Sequence, residues 1–532
     1  MKKPTTVRLR MGLLTTAVLA GAVACGGPSA APPAASPVAS PKAKAQPERI
    51  IGDGSTAYTG AQPNQPKPSR LAPGEKPPQF VVFSWDGAGE DGQKLFSHFR
   101  EVGKKYNATM TYFLSGVYMV PNDRRDVYQP PEHRPGSSDI GFNDVKGIKA
   151  TLAQVRGAWR DGNEIGTHFN GHFCGPHGGV GTWSTQEWES EISQAVSFVR
   201  RWKTNTGLRG EQPLPFDYAR ELVGGRAPCL EGQRQLVPAA KAMGFRYDAS
   251  SAGGLQVWPS KTDGLWDFPL QEVPVPGRSF ETLSMDYNFL ANQSRTTHGD
   301  PAMYGAWGQQ MRDGLIAAFD RAYNGNRAPF FVGNHFESWN GGTYMKAVEE
   351  TIKSVCPRPE VRCVSFKQLA DWLDAQDPKV LEKMRSLDIG QAPQGGWKTF
   401  LSAEALRQEG HGAAGAPGAP GAQARPETPE QARNRRHRHV EVRIFGEPPD
   451  AHAQEAGAAG AQGGAPERSA PAQPASGAVQ GAAGAPARNG GRQAPVTVDR
   501  APTIRHHGGH EARVFGEPAD AHGHMDEAGP MP

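Results

Sequence analysis

Two histidines four residues apart, His168 and His172 in NEIGTHFNGHF (residues 163–173), are the side chains best suited to chemistry in this chain. At that spacing one helical turn would bring both imidazoles to one side. Paired imidazoles suit a divalent metal, zinc first, with another transition metal fitting the same donors. Asp86 closes the apolar run FVVFSWD and is a candidate carboxylate ligand. Two histidines and one aspartate leave positions open for water and substrate, as a catalytic metal requires. His335 ends PFFVGNH and is a candidate general acid or base near neutral pH. Asp86 and His335 each end an apolar run of strand character, and the histidine pair follows the short apolar run EIG. In α/β folds the C-terminal ends of strands are where active sites gather.

The elements that must position these residues are legible between about 76 and 380. QFVVFSW, ATMTYFLSG, RYDAS, APFFVGNHF and VRCVSF read as strands. Between them lie helical patterns: STQEWESEISQAVSFVRRW with Ser184 and Glu187 at capping-box spacing, LVPAAKAMGF, TYMKAVEETIKSV, and FKQLADWLDAQ capped by Ser365. Strands alternating with helices predict an α/β fold with parallel strands, open or closed into a barrel. The net charge of +4 suggests no nucleic-acid partner.

The ends differ in composition. Many of the 65 glycines and 47 prolines fall there. Lys2, Lys3, Arg8 and Arg10 precede the apolar MGLLTTAVLAGAVA, and Cys25 follows directly, which predicts a lipoprotein-type signal over residues 1–25 with Cys25 as the lipidated residue. The protein is then expected outside the cytoplasmic membrane and tethered to it, with plain secretion as the alternative. Residues 26–75 read as a Pro/Ala-rich spacer and 381–532 as a low-complexity, disordered tail. That tail carries one repeat, EVRIFGEPPDAHA from Glu441 and EARVFGEPADAHG from Glu511. Export favours disulfides. Cys174, Cys229, Cys356 and Cys363 allow three pairings; Cys356 and Cys363 can close a short loop, and Cys174 would then pair with Cys229.

Taken in order, SWDG, HFNGH, GGRAPC, SMDYNF and GNHF resemble the five motifs of the NodB-type polysaccharide deacetylases, and in particular their chitin-deacetylase-like branch. The resemblance spans roughly residues 76–380. It implies a distorted (β/α) barrel with fewer than eight strands. It also implies a metal held by Asp86, His168 and His172, a general acid at His335 oriented by Asp286, and an arginine, Arg226, that orients a base aspartate. The implied partner is an N-acetylhexosamine polysaccharide, peptidoglycan or chitin-like.

One motif departs from the family pattern, Thr-Phe-Asp-Asp-Gly. Matching FSWDG to it keeps the metal ligand as Asp86 and puts Trp85 in the place of the base. Tryptophan accepts no proton, so Arg226 is expected to lack its partner and Trp85 to stack on a sugar. Losing a general base costs about 10²–10⁴-fold in rate. Glu90, on the loop beyond the strand, is the expected substitute; Asp91, Glu164 and Glu337 are the other carboxylates nearby. The chain is therefore expected to be an exported, metal-dependent carbohydrate N-deacetylase. The alternatives are a degenerate glycan-binding relative and a scaffold that works through its tail.

Overall fold

The run QFVVFSWD forms a strand, Gln79–Asp86, buried at every position. A strand apolar on both faces belongs in the middle of a parallel sheet covered by helices. A computed structural model describes residues 49–408 and the backbone of 441–445, 502–507 and 510–515. The expected signal, Cys25 and residues 26–48 of the expected spacer lie outside the described residues.

Seven parallel strands stand side by side in the order Phe330–His335, Gln79–Asp86, Thr111–Leu114, Glu164–Thr167, Gly224–Gly225, Tyr247–Asp248 and Leu265–Asp267. Lys261–Thr262 adds an antiparallel edge, and Val361–Cys363 pairs with the start of Gln79–Asp86. The registers matter for function. His335 lies opposite Asp86, Leu114 opposite Thr167, Thr167 opposite Gly225, and Gly225 opposite Asp248. The C-terminal ends of six strands thus form one row, and five of them carry Asp86, His168, Arg226, Asp248 and His335. A smaller sheet of Ala252–Gly254, Leu270–Pro274 and Phe280–Leu283 joins the His335 strand through a bridge between Met285 and Gly333. The result is the expected mixed α/β fold, with a curled, incompletely closed barrel sheet.

Helices pack on the outside with the expected signals. Ser184 and Glu187 complete a capping box on Thr185–Arg200, and Ser365 and Gln368 complete another on Phe366–Ala375. Both expected disulfides, Cys174–Cys229 and Cys356–Cys363, are formed.

The domain boundaries need correction. Residues 49–75, assigned above to the spacer, are bound to the domain. The Trp202 indole donates to the Ser55 carbonyl at 2.6 Å, and Gln62 donates to the carbonyls of Trp159 and Asn163 at 3.1 and 2.7 Å. At the other end the folded part continues past 380 through helices Pro378–Arg385, Gly396–Phe400 and Ala403–Gln408, which bury Leu381, Met384 and Leu401. Residues 49–75 hide in the sequence because their few apolar residues are widely spaced, whereas Val380, Leu381, Met384 and Leu387 do follow helical spacing at and just beyond the assigned boundary. In the tail, the first five residues of each repeat copy, 441–445 and 511–515, are strand; the rest of both copies lies outside the described residues. Glu441–Phe445 runs parallel to Phe280–Leu283, and His510–Phe515 runs parallel to Glu441–Phe445 with like positions of the two copies opposite each other.

Candidate active site

Along the Asp86 strand, side chains alternate between the two faces of the sheet. Ser84 and Asp86 point to one face, where Arg226 meets them. Arg226 Nη1 donates to Ser84 Oγ at 2.9 Å and to both Asp86 oxygens at 2.9 and 3.1 Å, and its Nε donates to the Ala249 carbonyl at 3.0 Å. Both members of this ion pair are completely buried. Arg226 therefore has its carboxylate partner, contrary to the expectation drawn from Trp85.

His168 is tied to the same arginine. Its Nδ1 lies 2.8 Å from the Arg226 carbonyl oxygen. A carbonyl only accepts, so Nδ1 carries the proton and Nε2 is the nitrogen with a lone pair. The expected helical turn between the two histidines is not present. The strand ends at Thr167, and the following loop places Phe169 and His172 at φ 57°. The two imidazoles meet all the same, with ring centroids 5.1 Å apart. The loop is held from below by residues that motif reading missed. The Tyr128 hydroxyl donates to the buried Glu191 carboxylate and accepts the Gly171 amide, while Asn170 donates to the Glu191 carbonyl. Burial raises the Glu191 carboxyl to about 7 against the pull of these hydrogen bonds. Glu191 interrupts the apolar face of its helix, between Trp188 and Ala195, and that is its only trace in the sequence.

On the neighbouring strand His335 is gripped by Asp286. One oxygen of Asp286 accepts from His335 Nδ1 at 2.7 Å, and the other accepts the His335 amide at 2.8 Å. Both side chains are fully buried. This fixes the ring and its tautomer and stabilises an imidazolium. Asp248, also missed, ends the strand beyond Arg226. Its carboxylate accepts from Ser250, whose hydroxyl accepts the Ala227 amide, so it braces the segment carrying Arg226. Burial raises Asp248 to about 7.

Two expected site residues are elsewhere. Trp85 is turned to the opposite face and is completely buried. Its ring lies 4.8 Å from Phe99, 5.7 Å from Tyr112 and 5.5 Å from Phe336, the last stacked. It fills the gap between sheet and helices and meets no sugar. Glu90 is buried as well. Its carboxylate accepts the Ser97 amide at 2.8 Å in the first turn of helix Leu95–Lys105, and its own amide donates to Thr151. Burial raises its pKa above the ordinary value. It satisfies a helix N-terminus and is not a base for the site. Glu164 is likewise structural, accepting from Thr111, Tyr247 and the Lys367 amide.

A metal finds suitable donors in the imidazoles. A ligating histidine commonly donates its second ring N–H to a backbone carbonyl, as His168 does to Arg226. The residue after Asp86 is Gly87, which offers no ligand. The Cys174–Cys229 disulfide stands beside His172, with Cys174 Sγ 3.7 Å from His172 Nδ1.

The solved structures that this chain resembles are polysaccharide deacetylases and related family 4 carbohydrate esterases. A Mycobacterium smegmatis chain assigned as a polysaccharide deacetylase is 16% identical over 58% of this chain and 95% of its own, with a TM-score of 0.36. A Clostridium thermocellum family 4 acetyl xylan esterase, in complex with a cobalt ion, is 13% identical over 55% of this chain and 90% of its own, with a TM-score of 0.30. A Bacillus anthracis family 4 pseudoenzyme is 12% identical over 57% of this chain and 70% of its own, with a TM-score of 0.29. No family model and no curated protein matches the sequence.

Proposed function

We propose that this protein is a carbohydrate N-deacetylase of the extracytoplasmic space, tethered through Cys25, and that Asp86 is its general base rather than its metal ligand. The observation that carries this reading is the buried Asp86–Arg226 pair. In the deacetylases that the motifs resemble, the arginine of this motif orients the base. With Asp86 in the base's place, SWDG matches Thr-Phe-Asp-Asp one residue later than first aligned. Ser84 then stands for threonine, Trp85 for the buried phenylalanine, and Gly87 for the missing ligand aspartate.

The two buried pairs divide the work. Asp86 accepts the proton of a water as its oxygen attacks the acetamide carbon. His335, as an imidazolium held by Asp286, gives a proton to the sugar nitrogen as the C–N bond breaks, leaving acetate and a free amine. His168 and His172 would hold a divalent ion, zinc by default, which when bound supplies Lewis acidity to the acyl oxygen. The ligand set is short by one carboxylate at Gly87. That observation favours a second reading, a glycan-binding relative with little turnover.

Acetate release from chitin oligosaccharides and from peptidoglycan, measured with added Zn²⁺ or Co²⁺, tests the first reading. Wild type is expected to turn over and Asp86→Asn to lose at least about 100-fold. Equal rates for the two proteins would sink the assignment of Asp86. Binding of the glycans without any acetate release would establish the second reading instead.

A further inference from the structure

The Cys174–Cys229 disulfide has no part in the chemistry above, and His172 enters it only as one of two imidazoles that would hold the ion. Yet His172, Cys174 and Cys229 bring three donor atoms within 4.8 Å of one another, two of the three residues being buried. We infer that reduction of this disulfide converts it, together with His172, into a His/Cys₂ metal site.

The geometry is close to what such a site needs. With Zn–N of about 2.0 Å and Zn–S of about 2.3 Å, a tetrahedral ion separates its nitrogen and sulfur donors by about 3.5 Å. His172 Nδ1 and Cys174 Sγ are 3.7 Å apart. Two thiolates on the same ion lie about 3.8 Å apart by the same construction. The Cα atoms of Cys174 and Cys229 are separated by 5.9 Å, so rotation of the side chains reaches that distance without moving the backbone far. In the disulfide each sulfur is bonded to the other. Thiolate, not disulfide sulfur, is the metal ligand. Three protein ligands and one open position are the arrangement of a catalytic zinc.

The step balances with a dithiol as reductant. The Cys174–Cys229 bond takes two electrons and two protons, and the dithiol closes to its own disulfide. The two protons leave as the thiolates take the ion. His172 is shared with the proposed deacetylase site, so occupancy of the His/Cys₂ site competes for it. The new site itself needs neither Asp86 nor a glycan, and acetate release is not its readout.

The test uses full-length protein, Co²⁺ alone as probe, and a phosphine reductant, which becomes the phosphine oxide and competes poorly for metal. Thiolate-to-cobalt charge-transfer absorption from bound Co²⁺ is expected only after reduction, because the oxidised protein offers Co²⁺ imidazoles but no thiolate. The Cys356→Ser/Cys363→Ser variant should keep this band, and Cys174→Ser/Cys229→Ser should lose it. A measurement needing no variant stands behind these, namely alkylation of reduced wild type mapped by mass spectrometry. Co²⁺ should protect Cys174 and Cys229 and leave Cys356 and Cys363 reactive. No thiolate-to-cobalt charge-transfer band after reduction, or equal alkylation of Cys174 and Cys229 with and without Co²⁺, would overturn the site.

Discussion

Trp85→Asp separates two ways of placing this chain's first motif. If Trp85 occupied the base's place, an aspartate there would restore a base and raise the rate by orders of magnitude. In the fold described above, Trp85 is sealed among Phe99, Tyr112 and Phe336. Removing a buried tryptophan costs about 3–5 kcal/mol through lost transfer energy and the cavity left behind. The new carboxyl has no visible partner in that aromatic cluster, and an unpaired buried polar group adds about 1–3 kcal/mol even after it takes up a proton. The sum, about 4–8 kcal/mol, rivals the whole stability of a typical domain. Trp85→Asp is therefore expected to be insoluble or to show a collapsed urea midpoint, with no gain in acetate release. Trp85→Phe is the companion. The indole Nε1 finds no acceptor among the described residues, so phenylalanine forfeits packing only, about 1–2 kcal/mol, and should stay folded with its acetate release intact. A folded Trp85→Asp protein with an unchanged urea midpoint and a faster rate would refute the argument, because it would put Trp85 in the cleft.

Other expectations follow from the same contacts. Gly87 sits at φ 60°, a conformation aspartate tolerates better than most residues, so Gly87→Asp should fold. If the ligand place is vacant there, zinc affinity in an isothermal titration should tighten at least about tenfold, the scale that even an outer-shell partner commands. Unchanged affinity would remove Gly87 from the ligand place. Asp286→Asn should lower the acetate-release kcat about 10²–10⁴-fold with KM little altered, since it disorients His335 without touching the substrate cleft; a change confined to KM would count against the pairing. Glu191 is raised to about 7 in the folded protein, above its ordinary 4.5, so the folded state holds the extra proton between those values. Its share of stability is thus greatest near pH 4.5 and declines as pH rises to about 7, by up to about 3 kcal/mol. Glu191→Gln should remove that decline, melting like wild type near pH 5 and higher than wild type at pH 8; parallel melting curves at both pH values would contradict the assignment.

The strands, the caps and the order of the motifs could be read from the chain because they are local. Ser184 with Glu187, Ser365 with Gln368, and the apolar runs ending at Asp86 and His335 all lie within a few residues of what they cap or close. Both disulfides were legible too, from the short loop between Cys356 and Cys363 and from export. Less visible were the segments at 49–75 and 381–408. The first is attached mainly by hydrogen bonds to distant carbonyls; the second does bury Val380, Leu381 and Met384 at helical spacing, but in a helix of only eight residues followed by Gly- and Pro-containing chain.

The site divides along the same line. Residue types, spacing and place at strand ends by themselves pointed to two histidines, an aspartate and a third histidine as one chemistry; the aspartate that holds the third histidine came from the resemblance of the motifs. They also required Trp85 and Asp86 to face opposite sides of the sheet, because a strand alternates with period two. Only the tertiary structure decided on which side of the sheet Arg226 meets the strand. That depended on Arg226, 140 residues from Asp86 along the chain and brought to it through the intervening strands. A one-residue difference in alignment exchanges base for ligand, and nothing local distinguishes the two. A buried guanidinium seeks a carboxylate to offset its desolvation, and it is the place of that guanidinium in the sheet that gives Asp86 its partner.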